Sequence, residues 1–272
     1  TGLIKKIVIA DYLAMNLVDR VFANPLSYSG MEVLLGLYGY SLQVYADFSG
    51  YSDIAIGVAL IMGFRLAENF RSPYKARNVG EFWGRWHISL STWLRDYLYI
   101  PMGGSRSSSI FSVIFSIGMV LFAGLMFREG EEVMNLGVLF LGGGALMMMY
   151  ASGVMYTKWG VKLATYINIL ATMIIGGLWH GASWNFLLWG ALNGMGLLVY
   201  KIIGRHLPWA KSENFLAKAW GVILTFNFIT FTRIWFRSGS SIGWDTAAGD
   251  HNILTEWFTA NDLLYQITNH LY

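Results

Sequence analysis

The apolar positions of this chain gather into long runs that are nearly free of charge. A helix crossing the hydrocarbon core of a bilayer needs about 20 such residues. Met31–Gly50, Ile110–Phe127, Val133–Ala151, Lys162–Leu178, Trp184–Ile203 and Phe215–Phe236 each approach that length. Met31–Gly50 carries Glu32 near its start and Asp47 near its end. Tyr51–Leu66 is apolar but shorter, and Asp53 stands close to its start. Ile7–Phe22 is interrupted by Asp11 and Asp19 and reads as a short span or an interfacial helix. Ser238–Tyr272 is mixed and polar, a loop leading to a further helix. The pattern predicts an all-α polytopic membrane protein, a helical bundle.

Glu81–Ile100 breaks the pattern. It sets Glu81, Arg85, His87, Arg95 and Asp96 among Phe82, Trp83, Trp86, Trp93, Tyr97 and Tyr99. Such a mixture predicts an interfacial or re-entrant helix that lines a cavity. The breaker residues Pro101, Gly103 and Gly104 end it.

Charge fixes an orientation. Arg65, Arg71, Lys75, Arg77 and Arg85 stand against Glu68 and Glu81, so the Arg65–Arg85 loop is expected on the cytoplasmic side. Alternation then puts the acidic turn Arg128–Glu132 outside, the Lys158 loop inside, His180 toward the outside and the Arg205 loop inside. Arg233 and Arg237 come near the outer face, a mild exception to the charge rule.

Composition agrees. The 272 residues are 55% hydrophobic, 16% aromatic and 13% charged, where a soluble domain carries about 25% charged residues. A net charge of +3 comes from scattered loop residues. No dense basic face suggests nucleic-acid binding. With no cysteine, a disulfide, a thiolate metal site and a cysteine nucleophile are excluded. The start, Thr1-Gly2-Leu3-Ile4-Lys5-Lys6, has neither an initiator methionine nor a signal-peptide layout, so the chain is expected to be a fragment of a longer one.

Candidate chemistry centres on a repeated Trp-His pair, Trp86-His87 and Trp179-His180. An imidazole at membrane depth is costly and usually faces a wet cavity or the protein interior. His180 lies in Gly176-Gly177-Leu178-Trp179-His180-Gly181-Ala182-Ser183-Trp184-Asn185. As a neutral imidazole it can take a proton from a hydroxyl, which suits acyl transfer to an alcohol. The alternative is a buried histidine bonded to a carbonyl between helices. His87 stands with Ser91 four residues on, and the alternative for it is an interfacial histidine facing headgroups. Arg95 can pair with an anionic substrate or snorkel to lipid phosphate. Asp96 can orient an imidazole or pair locally with Arg95. Asp47 and Asp53 are a cation site or, more simply, capping and polar packing residues. The two histidines are too few to form a metal site.

Three stretches carry a resemblance. They are Tyr45-Ala46-Asp47-Phe48-Ser49-Gly50-Tyr51-Ser52-Asp53, then Glu68-Asn69-Phe70-Arg71-Ser72-Pro73-Tyr74, then Glu81 through Pro101 with Trp86-His87. With Gly177–Asn185 they resemble the membrane-bound O-acyltransferases, and within them the alginate O-acetylase branch. The resemblance implies a bundle with a central funnel or tunnel, lined by two catalytic histidines that fall on His87 and His180, of which His180 is the invariant one. Trp86, Trp179, Ser91, Arg95, Asp96 and Asn185 are candidates for lining it. It implies acetyl or acyl transfer from a cytoplasmic thioester, acetyl-coenzyme A or an acyl carrier, to hydroxyls of an extracytoplasmic polysaccharide, with no bound cofactor. The setting it implies is the bacterial inner membrane, with lipid around the protein and periplasmic or membrane acetylation partners. A sister branch implies D-alanyl transfer to teichoic acid. One departure is the stretch Ser107–Gly160, read as an inserted transmembrane hairpin within a single domain, 1–272. The rival from another class is a proton-coupled transporter using both histidines as a relay; no repeated halves support it.

Overall fold

The computed structural model describes residues 1–106, 114, 118, 158–181, 183–207, 212–240 and 253–270. No strand occurs among them. The described α-helices, in chain order, are α1 (Asp19–Ala23), α2 (Gly30–Ile61), α3 (Val79–Trp83), α4 (Ile88–Leu94), α5 (Lys158–Leu178), α6 (Trp184–Ile203), α7 (Phe215–Ser240) and α8 (Ile253–Asn269). Among the described residues, four helical stretches are long and apolar enough to cross a membrane: Gly30–Ile61, Gly160–Leu178, Trp184–Ile203 and Phe215–Ser238. The expected hairpin 107–160 lies outside the described residues except for positions 114, 118 and 158–160.

The longest helix, α2, corrects the sequence reading, which broke it after Gly50. Its start is set by a capping box: the Ser29 hydroxyl accepts from the Glu32 amide, and the Glu32 carboxylate accepts from the Ser29 amide at 2.8 Å. Glu32 counts against a span by hydropathy, yet it is what begins the helix. The helix then runs through Asp47 and Asp53 because both carboxylates are paired from outside it. Lys5 Nζ meets Asp53 at 2.9 Å, and Lys6 meets Asp47. Neither aspartate therefore caps a helix start. At 1.5 Å per residue, α2 is ~48 Å long, more than the ~30 Å of hydrocarbon.

The lysines come from an N-terminal helical arm that runs antiparallel along α2. It is wound as π-helix over Ile4–Asp11 and Ala14–Val18 before α1. A Cβ added at Gly50 would meet the Gly2 carbonyl, and one at Gly36 would meet Val21. Close backbone approach of this kind is how helices pack where lipid offers no hydrophobic gain.

The chain divides into two compact units, Thr1–Ser91 with Ile174–Tyr272, and Thr92–Met173. In the first, Val18, Val33, Leu37, Tyr40, Trp189, Ile234 and Leu263 bring α2, α6, α7 and α8 to one core. Ser41 donates to Thr230 at 3.1 Å between α2 and α7. The Gln266 amide donates to the Leu26 carbonyl at 3.1 Å, tying α8 to the chain ahead of α2. In the second unit the buried Asn168 amide donates to the carbonyls of Met102 and Gly104, each at 3.1 Å. That bond pair holds the turn Pro101–Arg106 against α5, with Gly103 and Gly104 at positive φ.

Within the first unit, the end of α5 meets the start of α6 through Gly177. A Cβ there would press into the Phe186 carbonyl oxygen and sit 3.2 Å from the Gly190 backbone. Gly57, on the exposed side of α2, would meet nothing within 4 Å. Gly177→Ala should therefore cost about 1–3 kcal/mol through forced separation of α5 and α6. Gly57→Ala should be neutral or stabilising. Thermal melting in detergent checks this; equal effects of the two substitutions would contradict it.

Candidate functional site

Residues 69–91 build one wall of the site. Asn78 caps α3 by accepting from the Glu81 amide at 2.8 Å. Glu81 in turn accepts from Arg85 at 2.5 Å and from the Arg77 amide at 2.7 Å. These bonds fold the chain back after Trp83, and the Arg85 and Trp86 amides both donate to the Phe82 carbonyl at 2.9 Å. Trp86 is thereby laid on Phe82, ring centroids 5.6 Å apart, inside a cluster with Tyr45, Phe70 and Tyr74. The Tyr74 hydroxyl donates to the Ser41 carbonyl at 2.5 Å and fixes this cluster to α2.

The next residue, His87, has φ +44. Few residues other than glycine adopt that region, although histidine is among those enriched there. The strain of such a residue, about 1–3 kcal/mol, has to be held by its surroundings. Asn69 holds it: its backbone carbonyl accepts from the Ile88 amide at 3.0 Å, and its side-chain oxygen accepts from the Ser89 amide at 3.0 Å and hydroxyl at 2.8 Å. The Ser89 hydroxyl also lies 3.4 Å from His87 Nδ1. The expected continuous helix over Glu81–Ile100 is thus corrected. It is α3, a turn ending at the left-handed His87, then α4 continued by a π-helical stretch over Arg95–Tyr99. Ser91 consequently does not share a helical face with His87. Its amide donates to the His87 carbonyl at 3.0 Å and its hydroxyl to the Trp86 carbonyl at 3.2 Å.

The opposite wall is the turn at Trp179–Gly181, at the end of α5. Ser183 caps α6 by accepting from the Asn185 amide at 3.1 Å, and Asn185 is fully buried. A Cβ at Gly181 would strike the Phe186 ring at 2.7 Å, so the turn is seated closely on α6. Its half-buried His180 is surrounded by rings: Trp179 at 4.9 Å, Phe236 at 5.0 Å, Trp189 at 5.3 Å and Phe186 at 6.0 Å between centroids.

The two Trp-His pairs, 93 residues apart (180 − 87), meet here. The His87 ring lies 4.7 Å from Phe48 of α2 and 6.3 Å from Trp179, so the Trp179 indole touches both imidazoles. Trp179 itself is 61% exposed and forms the open side of the pair.

Both histidines lie in connections outside the four spanning stretches. Burial lowers the His87 pKa below its ordinary value. Burial, then the charge of His87, then that of Arg233 lower the His180 pKa from 6.5 to about 4. Each ring is neutral at pH 7, one nitrogen able to accept a proton and the other to donate one.

Arg233 also belongs to this cluster. Charge alternation puts it near an outer membrane face, whereas in the structure it is 4% exposed, with its guanidinium carbon 4.6 Å from the Trp86 ring centroid and 5.9 Å from that of Phe236. The signal that could have flagged it is its position three residues ahead of the end of a span that, from Ala219 onward, carries no other charge (236 − 233). Arg95 and Asp96 belong to the second unit, where they pair with each other at 2.7 Å on exposed chain. Among the described residues, no three His, Asp or Glu side chains converge as metal ligands would.

Comparison with known proteins places this arrangement in a family. A sequence profile of the membrane-bound O-acyltransferase family matches residues 6–131. A probable alginate O-acetylase of Pseudomonas syringae pv. tomato is 39% identical over 237 residues, covering 87% of this chain and 34% of that protein. A peptidoglycan O-acetyltransferase of Helicobacter pylori is 34% identical over the same shares. A teichoic acid D-alanyltransferase of Streptococcus thermophilus is 27% identical over 90% of this chain and 51% of that protein. The chain spans about a third of the length of the alginate O-acetylases it matches (34%, 30% and 28%). The profile takes in Trp86-His87, the relatives match over most of the chain, and the chain belongs to the membrane-bound O-acyltransferase family.

Proposed function

We propose that the protein of which this chain is part transfers an acetyl group from a cytoplasmic thioester to hydroxyls of an extracytoplasmic polysaccharide, in the inner membrane of a bacterium. The observation that carries this reading is the meeting of His87 and His180 at one indole, inside a ring-lined site. The acetylase names of the relatives support acetyl over D-alanyl transfer: they match at 34–39% identity, against 27% for the D-alanyltransferase. Acetyl-coenzyme A or an acyl carrier serves as donor, no resident cofactor is required, and partner proteins outside the membrane complete the pathway.

In this mechanism the sugar hydroxyl attacks the thioester carbonyl while its proton passes to His180. The carbon–sulfur bond breaks, and the departing thiolate takes that proton from the imidazolium. The product is an ester and a free thiol, so protons and electrons balance. His87 orients the donor from the other side of Trp179. Removing a general base costs typically 10²–10⁴-fold. His180→Ala should therefore lose about that factor in transfer of label from acetyl-coenzyme A to polymer, measured in membranes carrying the whole protein. Wild-type labelling by this variant would refute the assignment. Proton-driven uptake with no labelled polymer would favour the transporter, and label only from a D-alanyl carrier would favour the sister branch.

The acid limb of the reaction gives a second test. Only the neutral imidazole accepts a proton, and burial holds it neutral down to about 4 instead of 6.5. The pH profile of kcat/KM should therefore stay level as pH falls through 6.5 and decline only toward about 4. A limb centred on 6.5 that vanishes in the His180 variant would contradict the buried, ring-enclosed state of this base.

A further inference from the structure

Arg233 and Arg237 stand one turn apart on α7, each over two aromatic rings, and differ in whether a carboxylate meets them. Arg237 pairs with Asp19 at 3.0 Å. Arg233 pairs with no carboxylate among the described residues, although it is the more buried of the two. Its Nε, like that of Arg237, is buried without a hydrogen-bond partner. Trp86 gives its guanidinium a ring face at 4.6 Å. Phe236 lies 5.9 Å on another side and is itself 5.0 Å from the His180 ring. A buried cation without a counter-charge is costly to keep, and a single apolar substitution would remove it. A charge of this kind in a membrane protein marks a place where an opposite charge arrives during function.

We propose that Arg233 is the oxyanion seat of this site. The inference rests on acyl transfer at His180. As the hydroxyl oxygen bonds to the thioester carbon, the carbonyl electron pair moves onto oxygen, and that negative charge returns to carbon as the carbon–sulfur bond breaks. Arg233 holds the charge in between. A fixed cation in a site enclosed by rings is already oriented when charge develops, so it favours the transition state over the bound substrate. The electrostatics around it agree. Burial is the main cause of the lowered His180 pKa, and the charges of His87 and Arg233 add to it. An oxyanion on Arg233 offsets that residue's charge and makes the imidazole more basic at the step that needs a base.

An anion at Arg233 can have two sources, the reacting carbonyl or a permanent phosphate or carboxylate on the substrate. Kinetics of Arg233→Met and Arg233→Lys separate them, with labelled acetyl-coenzyme A and polymer as probes in membranes carrying the whole protein. The carbonyl source lowers kcat by about 10²–10³-fold in Arg233→Met with KM unchanged, as the proposal expects. The permanent source raises KM and leaves kcat near wild type, and that result overturns the oxyanion seat. With the carbonyl source Arg233→Lys recovers part of the loss, and the Tm of Arg233→Met holds or rises because an uncompensated charge has left the interior. Wild-type kinetics in Arg233→Met, or lost activity together with a lowered Tm in both variants, also overturns the proposal. If His180→Ala also keeps full activity, the acyl-transfer reading itself has failed. If only Arg233→Met does, the fault lies with the oxyanion seat alone.

Discussion

Withdrawing charge from water is the constraint on which this structure turns. A bilayer supplies no solvent for a lysine or a carboxylate, so each charged group carried toward it needs a partner from the protein. The described residues meet that demand at their margins with pairs from distant segments: Lys5 with Asp53, Lys6 with Asp47, Arg237 with Asp19. Near the two Trp-His turns the arrangement changes. Arg233, His87 and His180 are met chiefly by aromatic faces and edges. Rings shield these groups from water without neutralising them.

That distinction gives the site its chemical character. Electrostatic interactions strengthen where water is excluded, so a guanidinium among rings acts on a neighbouring imidazole more strongly than it would in solvent. The same enclosure favours the uncharged imidazole. The scaffold behind it is stiff. The Asn69 bonds around the left-handed His87 and the backbone contact at Gly177 each fix a wall by short-range geometry.

Much of this was legible in the residues. The spans over Lys162–Leu178, Trp184–Ile203 and Phe215–Phe236 coincide within a few positions with α5, α6 and α7, because long apolar runs in a helix leave little choice. The pairing of Trp86-His87 with Trp179-His180 was visible because histidine is rare in such surroundings. What escaped depended on partners far off in sequence. Asp47 and Asp53 look like helix caps or a cation site until Lys6 and Lys5 are brought beside them. Arg233 looks like a charge near the outer membrane face until Trp86 is folded over it. The turn at His87 was hidden for a similar reason, since its left-handed backbone is held by Asn69, 18 residues earlier (87 − 69).

The central claim is that the two histidines face each other across one indole, and a proximity measurement tests it most directly. These 272 residues contain no cysteine, so a double variant, His87→Cys with His180→Cys, adds the only thiols to this region. A short bifunctional thiol reagent applied to membranes should join the two turns as efficiently as it joins a Lys5→Cys, Asp53→Cys pair, whose parent side chains meet at 2.9 Å. Cross-linking of the control pair with none between positions 87 and 180 would show that the imidazoles do not share a site, and the account would fall.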